Sequence, residues 1–267
     1  MAMPAVAVLF SDRVCKLRLS RPEKLNALND AVYEELLAHL SSLADRPDIS
    51  VLVISGEGRA FSAGADLAAV APAATGERSW TQRRHAAGGW QRLLELLEMI
   101  PQVTVASMHG YCVGGAALLA VACDLRIAAE DLHVQIPELE IGIPLTWAGV
   151  PRLAREVGLP VARDIVMTAR VLDGEAALAC GFVQRLVAAD ELASATDRLV
   201  DELLAMAEGP LAMTRSMFSA IGRDRTGLAA WADADLLSWS LAEEESRRAA
   251  AQYRRNRLPH PGEPPPE

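Results

Sequence analysis

Two short loops in this sequence have the makings of an anion site. "RAFSAGADL" (59–67) and "MHGYCVGGAAL" (108–118) share one design: an apolar, strand-like run, a glycine turn, then helix-forming residues. The first N–H groups of a helix have no intrahelical partner and lie along the helix dipole, so they attract negative charge. Two such ends brought together would offer two amide donors to one oxygen, an oxyanion hole in which each donor can be worth about 3–4 kcal/mol in a rate comparison. The plainer reading of either loop alone is that its glycines only turn the chain tightly. Neither loop contains G-x-x-x-x-G-K-[ST] or G-x-G-x-x-G, so a nucleotide phosphate cradle is unsupported.

The elements that must position these loops read as alternating strands and helices. "AVAVLF" and "VCKLRLS" form a plausible hairpin across "SDR". A helix follows, capped by Asn29 or Asp30, with Val32, Leu36, Leu37, Leu40 and Leu43 on one stripe. "ISVLVISG" (49–56) and "QVTVASMHG" are buried strands ending in glycine, and "WQRLLELLEMI" is a helix stopped by Pro101. "EGRAFSAGADL" reads as a loop leading into a short helix, 71–89 as a mobile stretch, and a helix is expected from Gly114. "DLRIAA" and "HVQI" are further short strands. From about 150 the pattern turns helical, near 160–169, 173–180, 190–207, 210–222 and 226–252, with one strand-like run, "FVQRLV". The Pro-rich tail at 258–267 is expected to be disordered. Strand–loop–helix units of this kind predict an α/β fold with a mainly parallel sheet, and a ligand at the strands' C-terminal ends.

Composition narrows the function classes. A net charge of −9 argues against a broad nucleic-acid footprint. Cys15, Cys112, Cys123 and Cys180 lack C-x-x-C spacing and read as reduced, mostly buried thiols. His39, His85, His109, His133 and His260 have no metal-ligand spacing, so no metal is expected. The N-terminus has no signal-peptide pattern and no apolar run reaches 18 residues, so the expectation is a soluble, cytoplasmic protein with neither membrane nor nucleic-acid partner.

Five blocks in order, "LSRPEKLNALN" (19–29), "ISGEGRAFSAGADL" (54–67), "HGYCVGGAALLAVACDLRIAA" (109–129), "PELEIGIP" (137–144) and "TARVLDGEAALACGFVQRLV" (168–187), resemble the enoyl-CoA hydratase/isomerase (crotonase) superfamily. The resemblance implies a spiral of ββα repeats over 1–200, a C-terminal helical oligomerisation region over 201–257, and a homotrimer or dimer of trimers. It implies an acyl-CoA substrate and no cofactor beyond the coenzyme A of that substrate. It puts the oxyanion amides on Ala65 and Gly115, beside Gly114. Ala65, Asp66, Leu67 and Ala68 match the stretch that lies along the CoA. Lys24 matches a position that meets the CoA phosphates, or is a solvated lysine. Arg257 is a weaker candidate of the same kind.

Hydratases that this chain resembles use two glutamates, and here the two positions hold Leu118 and Glu138. Adding water to a 2-enoyl thioester divides the work between two carboxylates, one orienting water and one exchanging the proton. One carboxylate suffices to remove a proton alpha to a carbonyl and return it two carbons along. The resemblance therefore favours 3-enoyl-CoA to 2-enoyl-CoA isomerisation with Glu138 as acid/base. The alternatives are a 2-enoyl-CoA hydratase of fatty acid β-oxidation type with reduced or specialised activity, or a catalytically poor acyl-CoA-binding protein. Decarboxylase, thioesterase and dehalogenase relatives stay open. A carboxyl walled by Ile136, Leu139, Leu118 and Trp147 would be desolvated and a stronger base. Glu140 would share its face if the segment is extended, and would diverge on a helix. Trp147, where hydratases carry small residues, would dry the pocket, or is an ordinary core aromatic.

Overall fold

The computed structural model describes residues 4–66, 79–226 and 232–257. The predicted hairpin forms: β1 (Val6–Ser11) pairs antiparallel with β2 (Val14–Leu19), turning at Asp12 in the left-handed region (φ +48°). Asn29 then caps α1 (Asp30–Ala44), its side-chain oxygen accepting from Val32 N at 3.1 Å. Val32, Leu36, Leu40 and Leu43 form the buried stripe of that helix, with Leu37 packed at its margin.

Three ββ units follow, and each sends its two strands into different sheets. β3 (Val51–Gly56), β5 (Val103–Met108) and β7 (Leu125–Ala129) join the large sheet with β10 (Arg185–Val187); its order is β1-β2-β3-β5-β7-β10, parallel beyond the first pair. Their short partners β4 (Ala60–Ser62), β6 (Tyr111–Val113) and β8 (His133–Gln135) lie side by side and parallel in a second sheet, closed antiparallel by β9 (Leu172–Asp173). After β4 come α2 (Trp80–Ala87) and α3 (Gly89–Met99), after β6 comes α4 (Gly115–Val121), and after β8 comes α5 (Glu138–Ile141). This is the expected ββα spiral. β4 and β6, three residues each with glycines close on both flanks, read as loop in the sequence, whereas β8 lies in the strand-like run "HVQI".

The large sheet is covered on both faces, which explains its continuous apolar runs. α8 (Leu192–Leu204) lays Leu192, Ala195 and Leu199 on Val51, Val53, Val105 and Ile127. The opposite face carries the main core with α1, α3 and α4. Cys15, Cys112 and Cys123 are buried in that core and Cys180 is half-buried; all four are free thiols.

The C-terminal half departs from expectation at three places. α6 runs Gly149–Thr168, with a non-helical Gly158 (φ +75°) at its kink, so helix extends well before 160. In "FVQRLV" only Arg185–Val187 is strand, β10, after α7 (Gly174–Ala179). The span 226–252 divides: α9 (Glu208–Thr226), then α10 (Asp233–Ala242) and α11 (Glu244–Arg257), with 227–231 outside the described residues. Residues 79–87 of the stretch read as mobile are a serine cap and the capped helix α2, while 71–78 and the tail 258–267 lie outside the described residues. Arg215 of α9 ties the C-terminal helices to the core through Asp124, whose carboxylate also accepts from Thr104 N and Oγ1. Among the described residues no helix is long and apolar enough to cross a membrane, and no cluster of three or more His, Cys, Asp or Glu could hold a metal ion.

Candidate active site

The ends of β4, β6 and β8 are neighbours, and each delivers one part of the site. β4 leads to Ala65, β6 to Gly114 and Gly115, β8 to Glu138. The loops touch: a Cβ on Gly64 would fall 2.3 Å from Val113 O and 3.6 Å from Gly115 N, so only glycine (φ +80°) lets the backbones meet.

Hydrogen bonding leaves two amides facing this junction. Leu28 bridges to Ala65 in parallel fashion, Leu28 N donating to Gly64 O and Asp66 N donating to Leu28 O, both at 2.8 Å. The flanking residues are held, while Ala65 N itself points away from that ladder and donates to no described residue. Gly114 N donates to Gln135 O at 2.8 Å and is thereby occupied. Gly115, the first residue of α4, has no intrahelical acceptor for its N–H. The loop is braced from beneath by Asn26, a fully buried residue with φ +55°. Its amide donates to Glu57 O and Ala60 O at 2.8 Å, and its backbone carbonyl accepts from Ser62 Oγ.

Glu138 enters from the third strand end. A Cβ on Gly114 would lie 2.6 Å from Glu138 Oε1, so the carboxyl rests directly on the glycine turn. Part of the residue stays accessible, but Oε2 is sealed and has no hydrogen-bond partner. Burial pushes this carboxyl from an ordinary 4.5 up to about 7, and a bond from its own backbone opposes the rise. Glu138, Ala65, Gly114 and Gly115 line one cavity of about 330 Å³, roofed by Ala250, Tyr253 and Arg254 of α11.

The expected walls need correction. Ile136 is buried, but Leu139 is 46% exposed and points away, because 138–141 coil into a helical turn. The same turn sends Glu140 to the surface, apart from Glu138. Leu118 is buried below the site and lines neither this cavity nor the neighbouring one; its side chain abuts Gly149. Trp147 presses its ring on Gly115, where a Cβ would lie 2.3 Å from Cζ3. That ring stacks on Trp90 at 4.9 Å and 14°, and Tyr33 meets Trp90 edge-on at 5.5 Å. Trp147 and Ala148 are both left-handed (φ +58° and +54°), a conformation that non-glycine residues hold only when over-determined. Here Arg152, itself paired with Glu98, donates to Trp147 O, and Ala148 N donates to Asp233 Oδ2 of α10 at 2.7 Å.

Of the other expected residues, Asp66 is half-buried and paired with Arg21 at 3.2 Å, and borders the second cavity. Lys24 is exposed on a 3-10 turn. Leu67, Ala68 and the side chain of Arg257 lie outside the described residues. Asn26, Trp90, Arg152 and Asp233 are not singled out by the sequence; Asn26 and Trp90 lie in quoted runs without a signal of their role, and Arg152 and Asp233 act through partners distant in sequence.

Known proteins resemble this chain over most of its length. The family model described as enoyl-CoA hydratase/isomerase matches residues 10–263. A Mycobacterium tuberculosis protein named "Probable enoyl-CoA hydratase echA8" is 32% identical, over 78% of this chain and 79% of its own. The peroxisomal Delta(3,5)-Delta(2,4)-dienoyl-CoA isomerase of Arabidopsis thaliana is 30% identical, over 87% and 88%. The crystal structure of an enoyl-CoA hydratase from Mycobacterium avium subsp. paratuberculosis superposes with a TM-score of 0.85 at 24% identity, over 96% of this chain and 98% of that one, a likeness of fold. By the extent of the family match and the relatedness of these proteins, the chain belongs to the enoyl-CoA hydratase/isomerase family and has its crotonase fold.

Proposed function

We propose that this protein isomerises 3-enoyl-CoA to 2-enoyl-CoA. The thioester oxygen accepts from Ala65 N and Gly115 N. Glu138, as carboxylate, takes a proton from C2, the electron pair of that C–H bond delocalises into a dienolate, and the same carboxyl returns the proton to C4. The observation carrying this reading is that Glu138 is the one carboxyl lining the cavity of the two loop amides among the described residues, with Oε2 unpartnered. Its raised pKa makes it a base of useful strength near neutrality. Ala65 and Asp66, with Leu67 and Ala68, would border the CoA, and Lys24 would meet its phosphates. A homo-oligomer formed through 201–257 is part of the same proposal, supported by the exposed apolar row Met213, Met217, Phe218 and Ile221 on α9.

Hydration is the second reading, favoured by the names of several relatives, among them the crotonyl-CoA hydratase of Syntrophomonas wolfei at 28% identity. Against it stand Leu118, an apolar residue where a second acid would orient water, and the Trp147 ring filling the space at Gly115. Assaying the protein with 3-enoyl-CoA and with 2-enoyl-CoA, beside Glu138→Gln, separates the two. Isomerisation that disappears in Glu138→Gln is expected; robust hydration with little isomerisation would overturn the proposal.

A further inference from the structure

Four of the chain's five tryptophans, Trp80, Trp90, Trp147 and Trp239, border one cavity of about 620 Å³; the fifth, Trp231, lies outside the described residues. The chain is only 4% aromatic, and its core is built from Leu, Val, Ile and Ala. Apolar volume alone therefore does not account for this gathering of indoles, since the core elsewhere is filled mainly by aliphatic side chains, with Phe61 and Phe182 its fully buried aromatics among the described residues.

The cavity begins at the proposed reaction centre. Ala65 borders both this cavity and that of Glu138, and the Trp147 ring in its wall abuts Gly115 of the other cavity, so the two cavities meet beside the proposed donors. The Trp147–Trp90 stack, with Tyr33 edge-on behind it, fixes a flat inner wall. At the outer end Trp80 of α2 and Trp239 of α10 remain 57% and 64% exposed. Indole faces favour a second π system in offset or edge-on contact over an aliphatic group of equal area.

We infer that the acyl group of the substrate ends in a planar aryl ring, seated among Trp80, Trp90 and Trp239 while its thioester oxygen reaches Ala65 and Gly115. This deepens the acyl-CoA reading above and rests on it. Contacts of this kind with the two outer indoles, Trp80 and Trp239, correspond to about a tenfold gain in affinity.

Saturated thioesters test the inference without depending on which reaction is catalysed. Calorimetric titration of the full-length protein with 3-phenylpropanoyl-CoA, 3-cyclohexylpropanoyl-CoA and heptanoyl-CoA compares ligands of matched reach that differ in π character. The phenyl ligand is expected to bind about tenfold tighter than the cyclohexyl one. Trp80→Leu and Trp239→Leu, at exposed positions where the fold is retained, are expected each to lower that ratio about threefold. Equal or tighter binding of the cyclohexyl or heptanoyl ligand overturns the inference, as does a ratio unchanged in both variants. A ratio of one together with an altered oligomeric state in Trp239→Leu would make the outer indoles an interface between copies, which also overturns it. Binding of the alkyl thioesters without the aryl preference leaves the acyl-CoA reading intact, whereas loss of binding to all three sinks that reading itself.

Discussion

Replacing Glu138 by Gln should remove the proposed base and make the protein more stable, in a pH-dependent way. The folded carboxyl titrates at about 7, against an ordinary 4.5. Between those values the folded state holds a proton that the unfolded chain has released, so stability falls as pH rises from about 4.5 to about 7 and is level above. At about 1.36 kcal/mol per pH unit, the loss amounts to about 3 kcal/mol. Gln has nearly the same shape and never ionises. Glu138→Gln should therefore match the wild type near pH 4.5 and exceed it by about 3 kcal/mol at pH 8. In a chain of this size that is a Tm gain of about 5–10 °C. Melting curves of both proteins from pH 5 to 8 measure it. In parallel, C2-proton exchange of a saturated acyl-CoA in D2O should rise through about pH 7 in the wild type, as the carboxylate forms, and vanish in the variant. A Tm difference that stays constant from pH 5 to 8 would show a solvated carboxyl of ordinary acidity, too weak a base for the proposed proton transfer.

Three further perturbations test the surroundings. Gly114→Ala puts a Cβ 2.6 Å from Glu138 Oε1 at a φ of +53°, so the carboxyl must move by nearly 1 Å; C2-proton exchange should drop about 100-fold, with about 1–3 kcal/mol of stability lost in denaturant titrations. Leu118→Glu buries a carboxylate against Gly149 and should destabilise by about 3 kcal/mol or more without conferring hydration. Measured with 2-enoyl-CoA, hydration should appear only when Trp147→Gly is added, glycine being at ease with the left-handed backbone there. Asp233→Ala frees the Ala148 amide, at a cost of about 1–2 kcal/mol in denaturant titrations, and should raise acrylamide quenching of tryptophan emission as the Trp147 turn loosens. Unchanged quenching would show that Arg152 alone holds the turn.

Much of this arrangement could be seen in the residues themselves. The two glycine loops each sit at a strand end, and Glu138 follows a third; such local patterns survive without neighbours. The large-sheet strands and α1 announced themselves through continuous or periodic apolar runs. What stayed hidden depended on partners far away in the chain. The left-handed Trp147–Ala148 pair is set by Arg152, Glu98 and Asp233, and nothing at 147 signals them. Helix before 160 was obscured by Gly149, Pro151 and Gly158, of which only Gly158 breaks the helical geometry. Leu139 leaves the wall because 138–141 coil, and a four-residue turn after Pro137 is too short to show a helical period in the sequence.

The Leu28–Ala65 bridge carries a consequence for heredity. The donor proposed at position 65 is an N–H that every residue but proline possesses, so most codon changes there would leave it in place. The proton's proposed carrier, by contrast, is the side chain of Glu138, which a single codon change removes. Ancestral duplicates of such a gene could therefore explore new reactions while inheriting the part of the machinery that point mutation can scarcely reach.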